Sequence, residues 1–295
     1  MLWANAGLLL TIVFWGSLIP VLADMLQKWD PYFISVWRYG LAIPVLEVLR
    51  RIMEPGPLLP PDVRLGRLWG AGALLAAFAT FYTVGVAHSN PITAAVLSAC
   101  SPVIAGLVEW AGTRVPPHWS LLMAVPLTIS GAIIGSVELS GAGGGWGFRG
   151  GEPLIVAGSA CWALYSLAVK QWLNECTPLR LATLTIAPGE VFLILIYAAV
   201  AAAGQTLPLV CPSVKDLIEL LWISLGAAVG GILFWNNGVR KLGVTAASLY
   251  LNLVPFVAIA VAMLFGVYPR TAQLVGCLLV VAGIVQTQVF RPGRT

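Results

Sequence analysis

The chain has 295 residues, of which 59% are hydrophobic and only 9% charged. A soluble domain carries about 25% charged residues, so the surplus of apolar side chains here needs a second apolar solvent, which is lipid. The net charge of +4 is small and dispersed, and this excludes the basic, aromatic-interleaved stripe of a nucleic-acid binder.

A membrane-crossing helix needs about 20 apolar residues. In chain order, such segments fall near 4–23, 31–49, 68–88, 91–111, 119–138, 153–173, 179–203, 217–239, 243–265 and 271–290. The predicted fold class is an all-α membrane protein of ten transmembrane helices. The first segment lacks the basic n-region of a cleaved leader and reads as a retained helix. The five cysteines, Cys100, Cys161, Cys176, Cys211 and Cys277, show no CxxC spacing and read as small packing residues, with neither metal nor disulfide expected.

Basic residues mark the cytoplasmic side. With the N-terminus inside, the inner connections and tail hold eleven: Arg50, Arg51, Arg64, Arg67, Arg114, Lys170, Arg180, Arg240, Lys241, Arg291 and Arg294. The outer connections hold four, Lys28, Arg149, Lys215 and Arg270, and Arg38 lies within a span. Both termini are therefore expected in the cytoplasm, with the protein in an inner (plasma) membrane of bacterial type.

Seven of the eleven residues 141–151 are glycine, the composition of a flexible linker. It divides the chain into residues 1–140 and 152–295, with five spans each. The halves resemble each other. Trp15 and Pro31 match Trp162 and Pro178 at an offset of 147. At an offset of 153, Gly85, Val86, Ala94, Pro102, Ala105 and Pro116 match Gly238, Val239, Ala247, Pro255, Ala258 and Pro269. Five is odd, so two such units insert with opposite orientations. Inverted repeats are a recurring plan of secondary carriers, with the substrate held near the midplane where the units meet.

The pattern Phe14-Trp15-Gly16-Ser17, then Pro31, then Arg38-Tyr39 resembles the first two helices of an EamA-type unit. Thr93-Ala94-Ala95 with Pro102 resembles its fourth helix and is echoed by Thr245-Ala246-Ala247 with Pro255. Nearly the whole chain resembles the ten-helix drug/metabolite transporter superfamily and, within it, the YddG-type exporters of aromatic amino acids. The resemblance implies export of amino acids or related metabolites, with no ATP-binding domain. The chain has no GxxxxGK[ST] loop. It departs from internal symmetry at Arg38, whose counterpart is Thr185.

Polar groups inside a bilayer are costly and attract functional hypotheses. Glu190, after Pro188-Gly189, suits a proton carrier, an ammonium ligand, or a partner for backbone freed at the kink. Arg38 suits a substrate carboxylate or an interhelical brace. Trp15, Trp162, Trp235, Phe78, Tyr82, Tyr165 and Tyr250 lie deep in their spans, where they line a cavity or pack between helices. Trp162 and Tyr165, three apart, share a helix face with Ser166, as do Phe78 and Tyr82. Ser98 and Ser101 precede or flank the proline kink at Pro102, and Tyr250 and Asn252 precede that at Pro255. Such kinks are tolerated where protein or a cavity satisfies the freed carbonyl. Trp3, Trp29, Trp69, Trp110, Trp119, Trp146 and Trp172 sit near span ends, as in an interfacial belt.

His88 and His118 lie near span ends, and neither HExxH nor GxSxG occurs, so an enzyme is not expected and no cofactor is implied. Rings of like charge for a channel are not visible. With Arg38 the one cation inside a span, the expected cargo is zwitterionic, neutral or weakly charged rather than a phosphate. Another small metabolite or drug is the alternative.

Overall fold

The computed structural model describes residues 2–59, 63–114, 119–136, 138–139, 146–147, 149–173, 176–208, 210–242 and 250–289. Pro116, His118, the Thr245-Ala246-Ala247 motif, Arg291 and Arg294 lie outside them. The fold is that of an all-α membrane protein. Among the described residues, six helices are long and apolar enough to cross a bilayer, in the windows Trp3–Met25, Pro31–Met53, Leu65–Ala87, Glu152–Trp172, Pro178–Ala202 and Val214–Trp235. They are the first, second, third, sixth, seventh and eighth spans. The fourth is the bent pair Pro91–Ala99 and Ser101–Thr113, and the fifth, ninth and tenth are the shorter helices Trp119–Ser136, Val254–Leu264 and Thr271–Val289.

Three of these helices begin with the same device. Asp30, Asn90 and Thr177 each cap the helix that follows, accepting backbone N–H groups of its first turn, and each is followed by proline. The cap satisfies donors the first turn leaves over, and proline has no donor to leave. The eighth span starts on a capping box between Ser213 and Asp216. It then widens into a π-helical stretch, Trp222–Gly230, before resuming as α-helix over Gly231–Leu242. A widened turn weakens the carbonyl ladder, and here the first span supplies donors. Trp15 Nε1 donates to the Ala227 carbonyl at 3.1 Å, and Thr11 Oγ1 is shared between the Gly7 carbonyl of its own helix at 3.1 Å and that of Gly231 at 3.3 Å.

The packing repeats when the two halves are exchanged. Second packs on seventh, fourth on ninth, and fifth on tenth. Third packs on sixth as eighth does on first, third on seventh as eighth on second, and fourth on sixth as ninth on first. The Gly-rich connection ends under restraint rather than as a free tether. Glu138–Leu139 and Trp146–Gly147 pair antiparallel. The Gly151 N–H donates to the His88 carbonyl at 2.9 Å, and Glu152 accepts from the Gly150 N–H at 2.9 Å. Of the expected tryptophan belt, Trp3, Trp69, Trp110 and Trp119 are exposed, but Trp29 is buried and stacks on Phe33 at 5.6 Å.

Glycine sets the closest helix approach. A Cβ on Gly276 would lie 2.7 Å from the Gly135 backbone nitrogen, and one on Gly131 would lie 2.6 Å from the Gly276 carbonyl oxygen. Small residues are what let helices pack where lipid supplies no hydrophobic drive. We predict that Gly276→Ala lowers the melting temperature in detergent by several degrees. Gly112→Ala, at a position with nothing within 4 Å of the added carbon, leaves it unchanged. Equal melting of both variants would show that the fifth and tenth helices do not depend on this contact.

Candidate functional site

Proline at 102 has no N–H, so the carbonyl of Ser98, four residues back, loses its helical donor. The fourth span breaks there, with its two pieces inclined at 45°. The freed carbonyl is satisfied locally, because Ser101 Oγ donates to the Ser98 oxygen at 2.6 Å. Ser98 Oγ in turn donates to the Ala94 carbonyl at 2.7 Å, and so accepts from the Tyr82 hydroxyl at 3.0 Å. Ser159, on the sixth span, stands 3.4 Å from Ser101 Oγ. The break is thus built into a hydroxyl network joining the third, fourth and sixth spans.

A run of aromatic rings lies against this network. Phe78 and Trp162 have centroids 4.9 Å apart at 51°, Trp162 and Tyr165 5.2 Å apart at 34°, and Phe78 and Tyr82 5.5 Å apart. A cavity of about 320 Å³ opens beside Trp162. Its walls include Ser101, Pro102, Ser159 and Ser166, and it reaches the exposed Glu109 and Lys170. The Tyr165 hydroxyl is buried and donates to Thr185 Oγ1 at 2.8 Å, while Thr185 donates to the Leu181 carbonyl.

Arg38 enters from the second span. It is 5% exposed, and its Nε and Nη1 have no hydrogen-bond partner among the described residues. Its guanidinium lies 5.0 Å from the centroid of the Tyr39 ring, a cation–π contact. Tyr39 packs in one apolar cluster with Tyr165, and Phe78 packs against it, so Arg38 stands on the flank of the ring group.

Trp15, Trp235 and Tyr250 lie apart from that group. The Trp15 and Trp235 rings are 5.6 Å apart, and the Tyr250 hydroxyl donates to Asn5 Oδ1 at 3.0 Å. By the repeat offsets, Trp15 and Trp235 correspond to Trp162 and Tyr82, so they form the pseudo-symmetric counterpart of the first group. Asn252 is half-buried in the turn before Pro255, which begins the Val254–Leu264 helix. Pro188 differs from the other two prolines, since its helix continues unbroken from Pro178 to Ala202. Glu190, two residues on, is buried against Gly40 of the second span and makes no bond to freed backbone.

Sequence reasoning named Tyr39 and Thr185 only for motif and symmetry, not as site residues, and passed over Ser159. Ser159 lies three residues before Trp162, on the same helical face, so the spacing could have found it. It also passed over a charged cluster at one end of the bundle. There Lys215 donates to Asp24 at 2.6 Å, with Glu219 3.5 Å away, and Lys28 lies 3.7 Å from Asp216. Asp24 and Lys215 are 191 residues apart, and no local pattern joins them.

The cavity at the broken fourth span is walled by helices from opposite halves of the chain, an arrangement found in membrane carriers built from repeats. The model of the EamA-like transporter family matches residues 2–137 and again 149–287, and the chain belongs to that family. It is 23% identical to the "Uncharacterized transporter YyaM" of Bacillus subtilis (strain 168), over 92% of this chain and 89% of that one. It is 27% identical to the "Probable terminal-alkyne amino-acid exporter" of Streptantibioticus cattleyicolor, over 96% of this chain and 91% of that one. A solved crystal structure shares the fold at a TM-score of 0.66 and 17% identity, covering 96% of this chain and 95% of its own.

We predict that Tyr165→Phe destabilises the protein by about 1 kcal/mol, the net worth of one buried hydrogen bond. Denaturant unfolding in detergent measures it, and an unchanged midpoint would mean that the Tyr165–Thr185 bond carries no net stability.

Proposed function

We propose that the protein exports amino acids, aromatic and other neutral ones, by alternating access at the cavity beside Arg38 and the Phe78–Trp162–Tyr165 rings. The observation that carries this is Arg38. A guanidinium stays charged under all physiological conditions, and this one is buried with two donor nitrogens unpartnered among the described residues. A buried charge without a partner is unstable, and a cargo carboxylate suits the guanidinium fork. The adjoining rings suit an aromatic or apolar side chain, at about 0.5–1.5 kcal/mol per ring pair beyond burial. The serine and tyrosine hydroxyls around the break suit an α-ammonium group.

Two other features support the reading. The relative from Streptantibioticus cattleyicolor is named for amino-acid export. The exchange-related packing is what two rocking units require. With the excess of basic residues in the cytoplasm, the end tied by Lys215, Asp24 and Glu219 faces outward, and the cavity at Glu109 and Lys170 opens inward. By the repeat offsets, the other end carries Gln171 and Gly66 in place of Asp24 and Glu219. The cavity at Glu109 and Lys170 is then the side from which a carrier loading from the cytoplasm takes its cargo. The membrane is the inner (plasma) membrane of bacterial type, and the repeats divide at the Gly-rich linker 141–151.

The test is uptake into liposomes holding the purified protein. Labelled phenylalanine and threonine enter saturably and a sugar phosphate does not. Arg38→Met abolishes saturable uptake of both amino acids. Trp162→Ala lowers kcat/KM for phenylalanine about three- to tenfold, the worth of one ring contact, and spares threonine. Sugar-phosphate flux without amino-acid flux would contradict the proposal. Equal losses for both amino acids in Trp162→Ala would remove the ring-stacking role.

A further inference from the structure

The cavity beside Trp162 lies between the fourth and sixth spans. By the repeat offsets these correspond to the ninth and the first. There the helices touch. A Cβ on Gly16 would lie 2.7 Å from Val257 Cβ and 3.0 Å from the Val254 carbonyl oxygen, whereas Ala163, the counterpart of Gly16, stands in the cavity wall. Resting on the carrier function proposed above, we infer that the cargo leaves between the first and ninth spans, through an apolar passage latched by Lys215. This passage holds the cargo more weakly than the cavity does.

The two walls differ at each polar position. Ser159, Ser166 and Lys170 of the sixth span correspond to Ile12, Ile19 and Ala23 of the first. Ser101 and Glu109 of the fourth correspond to Val254 and Ala262 of the ninth. The remaining wall positions carry no hydroxyl or charge in either half. Ile12, Ile19 and Ala262 are buried, and Ile19 shares an apolar cluster with Ala258 of the ninth span. A hydrogen bond to a charged group is worth roughly 1.5–3 kcal/mol, so the serines, Glu109 and Lys170 can hold the ammonium and carboxylate of a zwitterion. The opposite wall answers neither charge, and what it offers is contact with the cargo's apolar side chain. Such a difference suits export, in which cargo is gathered on one side and let go on the other.

Lys215 joins the outer ends of the same two spans. Its Nζ donates to Asp24, the neighbour of Ala23, at 2.6 Å. It also lies 5.4 Å from the ring centroid of Phe265, the residue that ends the Val254–Leu264 helix, within reach of a cation–π contact. At the opposite end of the bundle Gln171 and Gly112 correspond to Asp24 and Phe265. Neither can supply the anion or the ring of a latch, and an added carbon at Gly112 meets nothing within 4 Å.

Cysteine labelling in cells making the full chain tests the passage, with the exposed Cys211 replaced by serine. Ala262→Cys is expected to react with a membrane-impermeant maleimide added outside. Removing the latch with Lys215→Met speeds that reaction about threefold, the worth of a partly exposed ion pair, and the attached group blocks phenylalanine efflux. Ala260→Cys, on the exposed side of the same helix, gains nothing from Lys215→Met. Labelling at 262 that ignores Lys215, or that leaves efflux intact, would overturn the passage. The weaker hold is read from inside-out and right-side-out membrane vesicles with no gradient of pH or potential. Half-saturation by phenylalanine is expected at an about tenfold lower concentration on the cytoplasmic face, the worth of one hydrogen bond to a charged group. Val254→Ser, which gives the passage the counterpart of the Ser101 hydroxyl, narrows the gap. Equal half-saturation at the two faces, or a gap that Val254→Ser leaves unchanged, would overturn the difference in hold. Absence of any phenylalanine flux in the wild type would instead overturn the amino-acid carrier reading, and the dependence of labelling at 262 on Lys215 would still decide whether the passage opens.

Discussion

Hydrocarbon offers no hydrogen bonds, and every polar group placed in it must find a partner in the protein itself. Continuous helices meet that demand for the backbone, and the architecture follows from it. The informative places are those where the demand is met by other means. At Pro102 a serine hydroxyl takes the orphaned carbonyl. At the π-helical stretch of the eighth span an indole from the other half of the chain takes the Ala227 carbonyl. At Arg38 Nε and Nη1 and at Glu190 Oε2 no hydrogen-bond partner stands among the described residues. The first solution stands at the cavity wall, and Arg38 is the group that we propose meets the cargo.

These sites lie where the two halves meet. Ser159 and Trp162 reach the broken fourth span from across the linker, and Trp15 reaches the eighth from the other direction. A carrier needs such contacts to be few and polar enough to re-form, because the same helices must separate at one end when they close at the other. The Lys215 cluster at one end and the open cavity at the other fit that requirement, and the repeat offsets place no matching ion pair at the opposite end.

The spans were legible because hydropathy and length decide them, and the cap-proline pairs Asp30-Pro31, Asn90-Pro91 and Thr177-Pro178 fix where three of them start. The break at Pro102 was legible because proline removes a donor wherever it stands. Pro188 shows the limit, since proline lies inside an unbroken helix there and the surroundings decide the outcome. The π-helical stretch Trp222–Gly230 contains no proline. The Trp15 and Phe14 side chains that meet it come from more than 200 residues away, a tertiary contact that no local pattern encodes. Trp29 looked like a belt residue by position and is buried by its stack on Phe33. Arg38 was legible as an intramembrane charge. That its donors stand unpartnered beside the Phe78–Trp162–Tyr165 rings required side chains from several helices to be placed together.

The most direct measurement of the central claim is binding of three related compounds to the purified protein in detergent by calorimetry: phenylalanine, 3-phenylpropionate and phenethylamine. If Arg38 and the neighbouring rings form the cargo site, the two carboxylates bind and phenethylamine, which lacks one, does not, and Arg38→Met loses both. Binding of phenethylamine with affinity equal to that of phenylalanine would contradict the account, because the carboxylate would then contribute nothing at Arg38.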